Sequence, residues 1–138
     1  MYDFESDYTQ WRENKLAHRI QQSQIEAVSI ADPSILSQQE LTKLSHLCQN
    51  DNFAIYRLDQ PSHATKTSIR SMASQLGMVS LDQNLCADND SISSLQVMDL
   101  GRARGYIPYT ANALNWHTDG YYNAFSEHSR SFLLHCQQ

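Results

Sequence analysis

Apolar residues at the start of the chain recur with the spacing of a helix that buries one side. Residues 4–20 predict such a helix, because their large apolar side chains fall near the helical period. These positions are Phe4, Tyr8, Trp11, Leu16 and Ile20. Packing is the simpler role for Tyr8 and Trp11, and an aromatic ligand box is the functional alternative.

Two strands and two further helices are predicted between residues 26 and 77. The apolar segments 26–30 and 53–58 are typical of strands. Ser37 and Glu40 match a capping box, so a helix should begin at Ser37. Its predicted buried stripe is Leu41, Leu44, Leu47 and Cys48. A second helix should end at Gly77. Its predicted buried positions are Ile69, Met72, Ala73 and Leu76.

Strand signals dominate the second half of the chain. Residues 92–98 and 131–137 alternate apolar and polar side chains, which predicts one strand in each segment. Between them, Pro108 favours a loop or an edge, because proline lacks the N–H that a central strand donates. We expect the chain then to reach His117 at a junction between a loop and a strand.

Composition and charge narrow the classes of function. The chain has 138 residues, 41% of them hydrophobic, which predicts one domain, spanning residues 1–138, with a real core. A net charge of -5 without a basic stripe argues against nucleic acid as a partner. No apolar run approaches the length of a membrane span, and the acidic N-terminus lacks a targeting pattern. We therefore expect a cytoplasmic protein whose three dispersed cysteines are reduced.

His117 and Asp119 are the residues that point to chemistry. On an extended backbone, residues two apart face the same side, so an imidazole nitrogen and a carboxylate oxygen could meet one metal ion. With a second histidine they would form the facial triad of non-haem Fe(II) oxygenases. The bare His-x-Asp pattern arises by chance roughly 0.4 times in a chain of this composition, so the surrounding residues must supply the specificity.

Those surroundings are the run from Asn115 to Tyr121, Asn-Trp-His-Thr-Asp-Gly-Tyr, and the apolar run that begins at Ser131. From about Gly105 to Cys136 the chain resembles the taurine dioxygenase-like family of Fe(II)/2-oxoglutarate-dependent oxygenases. The resemblance implies an α+β fold, the N-terminal part of a double-stranded β-helix (jelly roll) with flanking helices. It also implies that His117 and Asp119 are catalytic ligands of Fe(II), with 2-oxoglutarate as co-substrate.

The resemblance further implies a small organic acid or amine as the substrate that is hydroxylated. We expect pocket contacts from residues near the motif, namely Tyr106, Tyr109, Asn112 and Tyr122. Gly120 should allow the backbone to come close to the metal or its co-substrate. In the family, a second histidine and a 2-oxoglutarate-binding arginine follow well downstream. No such pair follows Asp119, so we expect the N-terminal part of an enzyme, inactive alone.

Several alternatives stay open. His117 and Asp119 could be an ordinary hydrogen-bonded pair in a loop. His135 or His128 could replace the second histidine, and Arg130 the arginine. A zinc hydrolase site would also need a third ligand. A function of another class is a non-catalytic interaction domain, whose open sheet edge pairs with a complementing chain or a second copy.

Overall fold

The computed structural model describes residues 4–17, 25–81, 91–97, 105–117, 119–120, 123–125 and 128–137. The chain divides into two compact units. The first unit contains Met1–Gly77 together with His135–Gln138, and the second contains Met78–Leu134. Across the described residues the fold is mixed α/β, with three α-helices and a parallel sheet of two strands.

Helix α1 spans Phe4–Ala17. Three residues of its predicted stripe, Tyr8, Trp11 and Leu16, are each about half exposed, and Ile20 lies outside the described residues. The rings of Tyr8 and Trp11 stack with centroids 5.7 Å apart, and the Lys15 ammonium lies 5.9 Å from the Trp11 ring centroid. Lys15 also donates a hydrogen bond to the carbonyl of Gln49. These aromatic residues therefore shield one another on the surface.

The sheet of the first unit is a β-α-β arrangement. Strand β1 is Val28–Ile30, helix α2 is Gln38–Asp51 and strand β2 is Tyr56–Leu58. The strands run parallel, with Val28 opposite Tyr56 and Ile30 opposite Leu58. Parallel neighbours require a crossover connection, and α2 provides it. Each predicted strand is confirmed in part, because only the last three residues of segments 26–30 and 53–58 form a strand.

The start of α2 is the predicted capping box. The Ser37 hydroxyl accepts a hydrogen bond from the Glu40 N–H, and the Glu40 carboxylate accepts one from the Ser37 N–H at 2.6 Å. The same carboxylate accepts from the Ala31 N–H at 2.9 Å. The Ser37 side chain in particular holds the pKa of Glu40 below its usual value of 4.5. Glu40 thus joins the end of β1 to the beginning of α2.

Helix α3 spans Lys66–Gln75 and ends as the sequence predicts, with Gly77 in the left-handed region at φ +89°. The Gln75 side chain accepts from the Leu36 N–H at 2.8 Å and donates to the Ser34 carbonyl at 3.1 Å. It therefore connects α3 to the segment that precedes α2. The buried core of this unit is Val28, Ile30, Leu36, Leu44, Leu58, Met72 and Ala73.

Two details of the predicted first unit differ from the structure. Cys48 is exposed rather than part of the buried stripe of α2. Phe53 and Ile55 are about half exposed, because the paired part of their segment begins only at Tyr56. Cys48 and Cys136 are free thiols, and Cys86 lies outside the described residues. None of the helices in the described ranges is long and apolar enough to cross a membrane.

The two strands predicted in the second half are wrong for the described part of each segment. Residues 91–97 and 131–137 form no strand. Leu95, Val97, Phe132 and Leu134 are all largely exposed. Alternation alone cannot make a strand, because a strand needs a neighbour that completes its hydrogen bonds. The sheet of the described residues contains only β1 and β2. The jelly roll therefore stays a prediction.

Candidate metal centre

A short 3-10 helix leads into the segment that carries the candidate ligands. It spans Ile107–Tyr109, and Tyr109 is buried in the second unit. The Thr110 hydroxyl donates to the Ile107 carbonyl at 2.8 Å and accepts from the Asn112 N–H at 3.2 Å. The chain therefore turns in a fixed way just before residues 113–117.

The predicted pocket residues differ in their surroundings. Tyr106 and Asn112 are exposed, whereas Tyr109 is buried and has a packing role in this unit. Tyr122 lies outside the described residues. Tyr106 and Asn112 are thus available to a ligand, and their part in a pocket stays a prediction.

The ring of His117 is oriented by the backbone two residues earlier. Its Nδ1 lies 2.7 Å from the carbonyl oxygen of Asn115. A carbonyl only accepts hydrogen bonds, so Nδ1 carries the proton and donates it. In the neutral ring, Nε2 then holds the lone pair that a metal ion would use. A histidine whose second ring nitrogen donates to a carbonyl is the usual arrangement at metal centres.

The second candidate ligand lies directly beside that lone pair. Oδ1 of Asp119 is 3.3 Å from Nε2 of His117, and the two side chains are 53% and 55% exposed. Two ligands about 2.1 Å from one ion are about 3.0 Å apart at a right angle and about 3.4 Å apart at a tetrahedral angle. The observed separation falls in that range. The same geometry also fits an ion pair between the Asp119 carboxylate and a protonated His117 imidazole. An ordinary hydrogen-bonded pair in a loop is therefore the alternative to a metal site.

A turn begins directly beside the two candidate ligands. Asp119 and Gly120 lie in it, and Gly120 has φ +65°. The Asn123 N–H donates to the Gly120 carbonyl at 2.9 Å. Thr118, between the two candidate ligands, lies outside the described residues, so the extended backbone expected across them stays a prediction, and the two side chains do face each other.

The other candidate ligands have different neighbours. His135 groups with the first unit, where its Nδ1 lies 2.9 Å from the Tyr56 hydroxyl. His128 is exposed and meets the ring of Phe125 edge-on at 5.3 Å. Arg130 is exposed as well. Within the described ranges, no three His, Cys, Asp or Glu side chains are placed to hold one metal ion.

Apolar side chains flank the candidate ligands in sequence. Trp116, immediately before His117, is fully exposed, and Leu114 is 58% exposed. Both side chains therefore leave apolar area unburied beside the ligand pair. The ligand pair thus lies in a stretch with an apolar as well as a polar surface.

Sequence reasoning missed two contributors to this geometry. The Asn115 carbonyl could not have been found, because every residue carries a carbonyl and only the fold selects one. Ser129, which lies against Gly120, also carries no signal in the sequence that would mark its role.

None of the known family models, curated proteins or solved structures compared with the chain matches it.

Proposed function

We propose that this chain is the N-terminal part of an Fe(II)/2-oxoglutarate-dependent dioxygenase that hydroxylates a small organic acid or amine. The observation that carries the proposal is the relation between His117 and Asp119. Nε2 and Oδ1 are 3.3 Å apart, and the imidazole is oriented by the Asn115 carbonyl. His117 and Asp119, which the resemblance implies as the iron ligands, are the same residues that have this geometry.

The donor set agrees with Fe(II). An imidazole nitrogen next to a carboxylate oxygen is a mixed borderline and hard pair, which suits Fe(II) or Mn(II) better than a soft thiolate site would. Within the described residues, no third His, Cys, Asp or Glu side chain joins the pair to form a three-ligand group. The pair is half exposed, which leaves room for co-substrate on the open side of the ion.

Each residue would have a defined task. His117 would bind the metal through Nε2, while the Asn115 carbonyl keeps the ring from rotating. Asp119 would bind through Oδ1 and offset the charge of the metal. With Fe(II) and 2-oxoglutarate bound, such a site supplies oxidation of an unactivated C–H bond by dioxygen, coupled to decarboxylation of 2-oxoglutarate. The protein would orient the substrate and keep water out.

Two protein ligands alone should hold a metal weakly, because a third supplies both affinity and geometry. We therefore propose that the chain needs a further histidine, and an arginine for 2-oxoglutarate, before it turns over substrate. Leu95 and Val97 are exposed, as are Phe132 and Leu134, so apolar side chains in both segments are available to partner strands. This exposed apolar area supports the proposal that added strands would complete a jelly roll. A reducing compartment keeps iron as Fe(II), so the cytoplasm is the proposed location.

An anaerobic titration tests the proposal. We expect the chain to bind Fe(II) weakly, and His117→Ala to abolish that binding while His46→Ala leaves it unchanged. His46 is the control, since it is an exposed histidine on α2 and is not a candidate ligand. With 2-oxoglutarate added, the isolated chain should give no charge-transfer band and consume no co-substrate. Equal metal affinity in wild type and His117→Ala would refute the site.

An interaction domain is the second candidate, and the sheet supports it. In the described residues β1 and β2 pair only with each other, so each strand keeps one edge open. Such edges can accept a strand from another chain or a second copy. If the chain is an interaction domain that pairs with a second copy, light scattering should show self-association. That self-association should persist in His117→Ala, because it does not depend on metal binding. A strict monomer would count against a homo-oligomer.

A further inference from the structure

The residue after the second candidate ligand has a left-handed backbone. Gly120 has φ +65°, a conformation that residues with a side chain rarely adopt. It is also buried, whereas His117 and Asp119 beside it are exposed. The chain is thus anchored directly after Asp119 and open to solvent at Asp119 itself.

The anchor is formed by two polar residues that lie against Gly120. A Cβ placed on Gly120 would be 2.7 Å from Oγ and 3.2 Å from Cβ of Ser129, and 3.2 Å from Nδ2 of Asn123. Contacts this short require displacement of one side or the other. Since Asn123 also donates its N–H to the Gly120 carbonyl, the glycine is held from more than one direction. Ser129 therefore occupies the space that any larger residue at position 120 would need.

Displacement of Gly120 must affect Asp119, because the two share a peptide bond. A metal site requires ligand distances to be held within about 0.2 Å. Rotation of the exposed Ser129 side chain relieves the contact with Oγ but leaves its Cβ at 3.2 Å, where a shift of a few tenths of an ångström is still needed. A shift of that size at Gly120 exceeds the tolerance and would change the 3.3 Å separation between Nε2 of His117 and Oδ1 of Asp119.

We infer that Gly120 and Ser129 are positioning residues, which together fix Asp119 beside His117 for metal binding. The inference rests on the proposed metal site and adds how that site is preorganised. Neither residue touches the metal. Ser129 lies nine positions after Gly120 in the sequence. It can pack against residue 120 only because that residue has no side chain.

The chain offers a matched control for the backbone strain of a substituted glycine. Gly105 also has a positive φ, +84°, and lies in the same unit, but a Cβ there would meet nothing within 4 Å. Gly105→Ala thus introduces the same kind of strain without a collision. A comparison of the two alanine variants separates the effect of φ from the effect of Ser129.

Co(II) titration of the full chain, followed by its visible absorption, provides the test. Gly120→Ala should weaken Co(II) binding by about tenfold or more, as loss of a supporting residue around a metal ligand commonly does. Gly105→Ala should bind like wild type. The double variant Gly120→Ala/Ser129→Gly should recover most of the lost affinity, because Ser129→Gly removes Oγ and Cβ, which are two of the three close atoms and include the nearest one. Circular dichroism of each variant reports whether the fold is kept.

A second variant keeps the test informative if Gly120→Ala does not fold. Ser129→Val adds bulk against Gly120 without changing the backbone there, and it should also weaken Co(II) binding. Wild-type affinity in both Gly120→Ala and Ser129→Val, or no recovery in the double variant, would overturn the inference. If His117→Ala binds Co(II) like wild type, the proposed function itself fails. If His117→Ala loses binding while Gly120→Ala does not, only the positioning role fails.

Discussion

The hydroxyl of Tyr56 lies 2.9 Å from Nδ1 of His135, although 79 positions separate the two residues. Their rings are nearly parallel, with centroids 5.8 Å apart. The phenol donates this hydrogen bond when the imidazole proton is on Nε2 and accepts it when the proton is on Nδ1. Gln137 adds a second link, as its side chain donates to the Ala64 carbonyl at 3.2 Å. Residues 135–137 are thereby held on the first unit.

Tyr56 should make the first unit sensitive to alkali. Burial raises the pKa of Tyr56 from 10.0 to about 12. A raised pKa means that the folded state holds the proton more tightly, so this stabilisation is complete below pH 10 and is lost as pH rises toward 12. Tyr56→Phe should cost about 1 kcal/mol at neutral pH, through the lost hydrogen bond. Urea unfolding followed by circular dichroism should show that the gap to wild type narrows at pH 11.

Tyr106→Phe is the control for that experiment, because Tyr106 is exposed. It should leave stability unchanged at both pH values. A gap between Tyr56→Phe and wild type that stays constant from pH 7 to pH 11 would contradict the assigned environment of Tyr56.

Ile30 should be among the most sensitive core positions. It is fully buried in β1, whereas Ile35 is 76% exposed in the loop that precedes α2. Ile30→Ala should lower the free energy of unfolding by about 2–5 kcal/mol, since it removes buried methyl groups and leaves a cavity. Ile35→Ala should change it by less than about 0.5 kcal/mol. Chemical denaturation of both variants measures the difference, and similar losses would contradict the observed core.

Glu40 should stabilise the protein only while it is ionised. Its pKa is lowered, first by the Ser37 side chain, so its contribution is complete above the ordinary value of 4.5 and is lost as pH falls through the lower folded value. Glu40→Ala should cost about 1 kcal/mol at pH 7, as loss of a helix cap usually does. The difference from wild type should shrink at pH 3.

Gln39→Ala provides the comparison, because Gln39 is an exposed neighbour on α2 outside the capping box. The measurement is the denaturant midpoint of unfolding of wild type, Glu40→Ala and Gln39→Ala, each at pH 7 and at pH 3. If Glu40→Ala and Gln39→Ala behaved alike at pH 7, the capping box would contribute nothing measurable.

Asp119→Asn should reduce metal affinity without unfolding the chain. The side chain is 55% exposed, so its replacement by an isosteric amide should change stability little. Loss of the charged ligand should weaken Mn(II) binding by about tenfold or more, with the free-ion signal followed by electron paramagnetic resonance. Asp59→Asn, at an exposed position in the first unit, should bind Mn(II) like wild type. Equal binding by both variants would remove Asp119 from the site.

The features that the sequence predicts well are those set by neighbouring residues. The Ser37 and Glu40 capping box is confirmed, because its partners are three positions apart. The end of α3 before Gly77 is confirmed for the same reason, since only a residue that tolerates positive φ fits there. The strands predicted over 92–98 and 131–137 depended on distant partners, which alternation cannot identify.

The candidate site shows the same division. The spacing of His117 and Asp119 predicts that their side chains face each other, as they do. The prediction assumed a strand, whereas Asp119 and Gly120 lie in a turn. The contacts of Ser129 and of the Asn115 carbonyl depend on how the chain folds, and no local sequence pattern predicts them.

The complete exposure of Trp116 gives the protein an intrinsic optical reporter one residue from His117. An indole in water emits strongly at long wavelength, and anything that covers it shifts that emission to the blue. The chain has two tryptophans, and the other, Trp11, is stacked on Tyr8 in the first unit. A Trp11→Phe protein would therefore signal, without any added dye, when a metal, a substrate or a second polypeptide arrives beside Trp116.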